Sequence, residues 1–424
     1  MHTGNEIMTK DRSPYQLSIC IPNFNRMEML RRLLEGISGQ IAENKLEREV
    51  EISVSDDCSE TNPLGIIEEI KSRFPKVAIV YTRNRVNMGM DYNFVNCVTV
   101  AHGRYAWIVG NDDAPAEGAL GKILNLLGER EYQDIDIIVT PFDSYSYNGD
   151  FVGTVYPLGN HTMENVLFDT VDKEQMHRLI MAVKDNSAVF GFLSNVVFKR
   201  ERWLQHGSMF EDKMSSIFIQ IYMNLQTLKE GAKYLYTPQK IIKNYLDDET
   251  NQTIDRTYRI AAGLYDAMDY FFEGEERVHM EEQVVDIFMA SAFLEFQDTD
   301  ARKEKADSFI SERMDILRKY YVRQNIRAQY FSGKTIVIYG AGRFGREAYE
   351  DLKRYKADII GFCDADANKQ GTYIETKPVF DFERLSYEYH RSVDCVVVVA
   401  NNRHLVYIIR NLLCHRMSRI AIIT

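Results

Sequence analysis

Two adjacent carboxylates, Asp112 and Asp113, close an apolar run that climbs from Gly103 through Tyr105, Ala106, Trp107, Ile108 and Val109 and passes Gly110 and Asn111. Burying two like charges at a strand end is costly unless a cation lies against them. A divalent ion shared with a phosphate would supply that cation. A bland reading stays open, since Asp is also a favoured helix N-cap. Two further polar clusters follow apolar runs. Pro22-Asn23-Phe24-Asn25-Arg26 follows Leu17–Ile21, and Asp56-Asp57-Cys58-Ser59 follows Val50–Ser55.

The elements that position these clusters alternate. Leu17–Ile21 reads as a buried strand, and Met27–Ser38 carries Leu30, Leu33, Leu34 and Ile37 at helical spacing. Val50–Ser55 alternates as a strand, Pro63–Arg73 follows as a helix, and Val77–Tyr81 is a third strand. Alternating β and α elements predict a mainly parallel sheet with helices on both faces. Ligands of such sheets sit at the carboxyl ends of the strands. Right-handed crossovers bring all three polar clusters to one edge.

In order and spacing, four pieces resemble a family-2 glycosyltransferase of the GT-A fold, close to its abequosyltransferase-like branch. They are residues 17–26, residues 54–59, Asn87-Met88-Gly89-Met90-Asp91-Tyr92-Asn93-Phe94, and Gly103–Asp113. The resemblance covers roughly residues 15–245 and implies an α/β nucleotide-diphospho-sugar transferase domain over 15–250. It further implies that Pro22, Phe24, Asn25 and Arg26 line the nucleotide and that Asp57 accepts from base or ribose. Asn87 belongs to the same donor-binding set. Asp113 would coordinate Mn²⁺ or Mg²⁺ on the diphosphate, with Asp112 reaching the ribose or supporting the metal. Asn111 stands where many members have an acid, which thins the charge. Where relatives carry a basic residue near the helix that begins at Asp91, this chain has Met88 and Met90; Arg83 and Arg85 could substitute or be ordinary surface charges.

The rest of that domain would carry the acceptor. Ala116–Gly128, Lys173–Lys184 and Met214–Glu230 read as helices. Ile135–Thr140, Tyr234–Tyr236 and Ile241–Tyr245 read as strands, and Phe142–Tyr156 as a hairpin about Asn148-Gly149. Ser187–Phe198 is an apolar run ending in Lys199-Arg200-Glu201-Arg202-Trp203. An inverting transferase needs a carboxylate to take the acceptor proton. Relatives place it just before a late helix, which points to Asp212, with Glu211 second; Asp185 is a weaker candidate. Helix capping is the competing role for Glu211 and Asp212. Trp203, Tyr145 and Tyr147 could platform a sugar or simply pack.

From about Thr250 the pattern changes. Residues 251–332 read as a helical connector, with Ile260, Leu264, Ala267, Met268, Phe271, Val284, Ile287, Phe288 and Phe293 in helical register. Its end, Arg313–Phe331, is basic and aromatic, with Arg318, Lys319, Arg323 and Arg327, and could touch an anionic membrane surface or pack as a solvated helix. Residues 333–424 read as a small Rossmann-like unit. The strand Thr335–Tyr339 runs into Gly340-Ala341-Gly342-Arg343-Phe344-Gly345, then a helix, then a strand Ile359–Cys363 ending at Asp364. Gly340, Gly342, Arg343 and Gly345 would approach a phosphate, and Asp364 a ribose hydroxyl. Cys395–Ala400 is another buried strand, followed by Asn401-Asn402. The unit resembles the small nucleotide-binding domain at the N-terminus of some bacterial sugar acyltransferases. That implies a bound nucleotide, nucleotide-sugar or NAD(P), or else an empty scaffold used for packing or oligomerisation.

Bulk properties narrow the classes. At 424 residues the chain exceeds one ordinary domain. Its net charge of -11 argues against nonspecific nucleic-acid binding. The six cysteines, at positions 20, 58, 97, 363, 395 and 414, form no Cys-x-x-Cys or zinc spacing, which fits a reducing, cytoplasmic setting. The expected function is an inverting, metal-dependent transfer of a sugar from a nucleotide donor to a glycan acceptor, lipid-linked, in bacterial surface polysaccharide synthesis. Two competing readings are a bifunctional protein whose last domain is an NAD(P) oxidoreductase, and a nucleotide-sugar sensor with a dead transferase domain.

Overall fold

The computed structural model describes residues 14–132, 134–158, 163–246, 254–281, 283–284, 320–322, 324–389, 395–400, 408–409, 411–412, 417 and 419–423. Ile287, Phe288, Phe293, Arg313 to Lys319, Arg323, Asn401, Asn402 and Cys414 lie outside the described residues. The chain divides into two compact units, Met1–Asn251 with Tyr270–Glu276, and Gln252–Asp269 with Arg277–Thr424.

In the first unit β1 (Tyr15–Asn23) leads into α1 (Met27–Glu43), which buries Leu30, Leu33, Leu34, Ile37 and Ile41 as one stripe. Next come β2 (Val50–Asp56), α2 (Leu64–Arg73), β3 (Ala78–Arg83), α3 (Met90–Thr99) and β4 (Gly103–Ile108). β3, β2, β1 and β4 lie side by side in that order, all parallel. Register pairs Asn23 with Asp56 and Cys20 with Ile108, so the three expected polar clusters do share one edge.

Strand β2 alternates apolar and polar residues, yet every residue from Val50 to Asp56 is buried. The polar face meets α3 and the strand starts instead of water. Ser53 Oγ donates to the Cys97 carbonyl at 2.9 Å, and Asn96 Nδ2 donates to Ser55 Oγ at 2.9 Å. Glu51 accepts from Ser18 Oγ at 2.5 Å and from Gly103 N at 3.1 Å. Buried polar side chains of this kind persist because each finds a partner.

The remaining elements extend the sheet and add a second one. They are β5 (Ala114–Pro115), α4 (Ala119–Gly128), β6 (Ile137–Val139), β7 (Phe142–Tyr145), β8 (Phe151–Val155), β9 (Val166–Asp169) and α5 (Lys173–Ala182). Then follow β10 (Val196–Lys199), α6 (Arg200–His206), α7 (Ile219–Lys229), β11 (Lys233–Tyr236) and β12 (Ile242–Tyr245). The large sheet runs β3-β2-β1-β4-β10-β6-β11-β9, with β10 antiparallel to both neighbours; the small one runs β5-β12-β7-β8. The hairpin about Asn148-Gly149 forms, with Gly149 at φ +88.

One stretch takes a mixed form and another departs from expectation. Ser187–Phe198 gives only β10, because Ser187–Gly191 closes a π-helical turn and Leu193–Asn195 a 3-10 turn. Met214–Glu230 gives a helix only from Ile219, since Ile217 adopts φ +64 and breaks the preceding segment. Helix α6 was not expected; Trp203 lies inside it, buried and stacked on Phe198 with ring centroids 4.3 Å apart, so it packs and is not a sugar platform.

Within the second unit, α8 (Ile254–Phe271) buries Ala261, Leu264, Ala267 and Met268; its last two residues belong to the first unit, where they meet Phe210 and Tyr222. After α9 (Arg327–Phe331) come β13 (Thr335–Tyr339), α10 (Arg343–Arg354), β14 (Asp358–Cys363), β15 (Tyr373–Ile374), β16 (Lys377–Phe380), α11 (Phe382–Tyr389), β17 (Cys395–Val399) and β18 (Ile420–Ile422). The sheet order is β15-β16-β14-β13-β17-β18, parallel except for β15. Phe331, Ile336, Ile338, Leu352, Phe362 and Val398 form its core. Among the described residues no helix is long and apolar enough to cross a membrane.

Gly103 tests the packing at the amino-terminal edge of the parallel strands, where it pairs with Tyr15. A Cβ there would lie 2.5 Å from Ser18 Oγ and 2.6 Å from Ser18 N. Gly103→Ala is expected to destabilise the chain by about 1–3 kcal/mol, read as a lowered midpoint in chemical denaturation.

Candidate active site

The strand ends of β3, β2, β1 and β4 are joined by one run of polar contacts. Arg83 Nε donates to Asp56 Oδ2 at 3.0 Å. Asp56 Oδ1 accepts from Asn23 Nδ2 at 2.8 Å. Asn23 Oδ1 accepts from Asn111 Nδ2 at 3.0 Å, and Asn111 Oδ1 accepts from Arg26 Nη1 at 3.4 Å. Arg26 ends the run on Asp112 Oδ2 at 2.6 Å. Asn23, Asp56 and Asn111 are buried, so each must be satisfied inside the protein. Asn111 therefore has a local reason to be an amide: a carboxylate there would set an acceptor against the Asn23 oxygen. Arg83 is neither a free surface charge nor a free phosphate ligand, because Asp56 holds it.

Asp113 is buried next to this run. It accepts from Asn244 Nδ2 at 3.0 Å and also engages Ser194 and the Tyr245 N–H. Burial first, and Asp112 second, push its pKa up to about 7, against the pull of those three donors. A Cβ on Gly110 would lie 2.7 Å from Asp112 Oδ1 and 3.2 Å from Asp113 Oδ2. The two carboxylates thus converge over a cradle that only glycine leaves open. Among the described residues no three His, Cys, Asp or Glu side chains gather. Two carboxylates completed by ligand phosphates suit an ion of the Mg²⁺ class, so the donor set fits.

The other expected residues are placed as follows. Pro22 is half-buried and Phe24 exposed at the mouth of the edge. Asn25, at φ +53, donates its N–H to Ser59 Oγ at 2.8 Å and accepts from Glu60 N at 2.8 Å. Asp57 is buried and holds the loop before α3: it accepts from Asn84 Nδ2, Met88 N and Gly89 N, each at 2.8 Å. Asn87 accepts from Gly89 N at 2.9 Å in the same loop. Asp212 lies exposed on the 3-10 turn Glu211–Lys213, paired with Lys213 at 3.0 Å. Asp185 caps its own turn through Ser187 Oγ and Ala188 N.

Three positioning residues escaped sequence reasoning. Asp91 accepts from Ile217 N at 2.9 Å and Ile219 N at 3.4 Å, tying the segment just after Asp212 to the start of α3. Burial raises its pKa, opposed by those N–H groups and the Ser216 hydroxyl. Ser194 accepts from Gly110 N at 3.0 Å, and Asn244 meets Asp113 from β12. Asp91 offered a signal, an acid at a helix start; Ser194 and Asn244 offered none, lying 84 and 131 residues from their partners.

Residues 18–201 match the model of glycosyl transferase family 2. This stretch is a family-2 glycosyltransferase domain. It contains the run from Asn23 to Asp113 and also Ser194. The chain is 31% identical over 191 residues to the abequosyltransferase RfbV of Salmonella typhimurium, covering 44% of this chain and 54% of that protein. It is 25% identical over 114 residues to a GalNAc(5)-diNAcBac-PP-undecaprenol beta-1,3-glucosyltransferase of Campylobacter jejuni, covering 27% and 35%. The chain thus spans about half the length, or less, of these curated relatives. Similar solved structures include S. aureus TarS 1-349, with TM-score 0.48 and 13% identity over 80% of this chain and 89% of that one. Another is the mannosyltransferase PcManGT from Pyrobaculum calidifontis with GDP-Man and Mn2+, with TM-score 0.43 and 11% identity over 71% and 78%. The first unit has the mixed α/β layout that the sequence predicts.

In the second unit Gly340, at φ +105, makes the turn after β13. Gly345 serves packing, since a Cβ there would lie 1.8 Å from the Gly340 carbonyl. Gly342 faces open space and Arg343 is exposed. Asp364 is turned inward, not outward toward a ribose: Ala341 N donates to it at 2.7 Å, Asp366 N at 2.9 Å and Lys369 Nζ at 3.1 Å. Burial alone would raise its pKa, but the Asp366 and Ala341 N–H groups and Lys369 hold it below the usual carboxylate range.

The raised pKa of Asp113 has a consequence for stability. The folded chain binds this proton more tightly than the unfolded chain, so the contribution is full below about pH 4. It is lost as pH rises through about 7. In chelator, Asp113→Asn is expected to flatten this decline, so the variant gains on the wild type by up to a few kcal/mol between pH 4 and 8; denaturation midpoints across that range check it.

Proposed function

We propose that the chain is an inverting, metal-dependent glycosyltransferase that moves a sugar from a nucleotide-sugar to a glycan acceptor in bacterial surface polysaccharide synthesis. The observation that carries this reading is the convergence of Asp112 and Asp113 over Gly110, at the strand-end edge that also holds Arg26 and Asp57. The names of the relatives support a glycan product; the Campylobacter relative names an undecaprenol-linked substrate, which favours a lipid-linked acceptor at the cytoplasmic face of a membrane.

In this mechanism Pro22, Phe24, Asn25 and Arg26 line the nucleotide, and Arg26 offers its guanidinium to the diphosphate as it leaves Asp112. Asp57 and Asn87 hold the loop before α3 that walls the nucleotide. Asp113, with Asp112, would hold Mn²⁺ or Mg²⁺, which when bound offsets the negative charge developing on the departing diphosphate. The acceptor oxygen attacks the anomeric carbon opposite the diphosphate; the new C–O bond forms as the sugar–phosphate bond breaks, inverting the centre. Asp212 takes the acceptor hydroxyl proton, with Glu211 as the neighbouring acid. Asp91 supports this assignment by anchoring the chain a few residues beyond Asp212.

Asp113→Ala is expected to abolish the Mn²⁺-dependent part of binding to a panel of nucleoside diphosphates in calorimetry; undiminished binding would remove the metal role. Asp212→Asn should leave nucleoside diphosphate affinity within about twofold while transfer falls at least about 100-fold, measured as donor turnover. Turnover at the wild-type rate would move the base elsewhere.

A further inference from the structure

Asp212 sits on a turn that does not hold itself. Glu211–Lys213 is a single 3-10 turn with none of its residues buried, and the Asp212 side chain is 70% exposed. Hydrogen-bond geometry within such a turn is poor. Its place comes from the residues that flank it. On the far side Ile217, a β-branched residue at φ +64, donates its N–H to the buried Asp91 carboxylate. A backbone outlier of this kind persists only where its surroundings impose it. On the near side stands Phe210, only 1% exposed. Its ring packs on three others. Tyr222 of α7 lies 5.5 Å away between centroids, and Tyr270 and Phe271 each lie 6.2 Å away. Tyr270 and Phe271 also close on Tyr222, each at 5.7 Å. Edge-on and tilted rings at these spacings attract one another.

Two of those three rings come from the end of α8, in the segment Tyr270–Glu276 that belongs to the first unit. Cations tie the same segment down. Lys213 Nζ stands 5.6 Å from the Tyr270 ring centroid, and Lys229 Nζ 6.0 Å from that of Phe271. Lys213 is also the ion-pair partner of Asp212 at 3.0 Å, so Tyr270 reaches Asp212 through one side chain. A further grip lies on α5, where His177 Nδ1 is 2.8 Å from Glu276 and His177 Nε2 is 3.6 Å from Glu275. Tyr270 is 53% exposed, so burial of its own ring does not account for its place. The match to the family model ends at residue 201, before both the turn and this segment. We infer that Tyr270 and Phe271 are positioning residues for the transfer: the end of α8 is a working part of the acceptor side and fixes the turn that presents Asp212. The inference rests on Asp212 as the base. Tyr270 and Phe271 act through Phe210 and Lys213, not on the substrate itself.

The test compares the full-length wild type with Tyr270→Ala, Phe271→Ala and Tyr270→Phe. Donor turnover is measured with Mn²⁺ on a panel of UDP-, GDP-, CDP- and dTDP-sugars, and backbone hydrogen exchange is followed over residues 208–216. Both alanine variants are expected to speed exchange across the turn and to cut kcat at least about tenfold while donor KM stays within about twofold. Tyr270→Phe, which keeps the ring, restores both readouts. Tyr270 is more than half exposed, so its truncation leaves folding intact, which circular dichroism verifies. Unchanged exchange over the turn, kcat at the wild-type level in Tyr270→Ala, or a donor KM that rises as kcat falls would each overturn the inference. Asp212→Asn separates it from the reading beneath it. Normal turnover by Asp212→Asn removes the base assignment, and the inference with it. A slow Asp212→Asn beside a normal Tyr270→Ala removes the inference alone. A wild type inert toward every donor sinks the transfer reading and the inference together.

Discussion

The first unit depends on a demand that water cannot meet at its strand ends. Asp56 and Asn23 are fully buried at the carboxyl edge, and a buried carboxylate and a buried amide must find their partners inside the protein. They find them in each other, in Arg83 on one side and in Asn111 on the other. That single run sets the spacing of four strand ends. It also sets where Arg26 reaches, and Arg26 in turn fixes one oxygen of Asp112 and leaves the other toward Gly110. Asp56 and Asn23 are thereby linked, through Asn111 and Arg26, to Asp112 of the carboxylate pair.

The carboxylate pair itself is held in a state that a folded protein would rather avoid. Asp113 is buried against Asp112, and its three donors from Ser194, Asn244 and Tyr245 do not fully offset the loss of water. The fold thus gives up stability to keep the two carboxylates together at this edge. The donors come from the second half of the domain, which enters the sheet through β10, antiparallel beside β4. The parallel half therefore supplies the strand ends, and the second half supplies partners to Gly110 and Asp113.

The second unit uses its glycines differently from one another. Gly340 makes the turn, Gly345 lets the helix approach the strand, and Asp364 clamps the Ala341 N–H of the turn. Sequence pattern read the glycines as one phosphate-binding turn and Asp364 as a ribose ligand. Three-dimensional contacts divide these positions into turn, packing and clamp.

Much of the layout was legible in residue order. Alternating apolar strands and amphipathic helices determined the parallel half, because the periods 2 and 3.6 are local, and the polar clusters at 22–26, 56–57 and 111–113 follow from strand ends that stop being apolar. Local signals could not show that the polar face of β2 is buried, since Glu51, Ser53 and Ser55 look solvated until α3 and Gly103 cover them. Nor could they find Ser194 or Asn244, whose contacts span 84 and 131 residues and leave no periodic trace. By itself the sequence determined which residue types stand at each strand end and that they share an edge. Only the tertiary structure decided which of them are spent on holding one another and which point at open space, because hydrogen-bond partners are chosen by proximity in space and not along the chain.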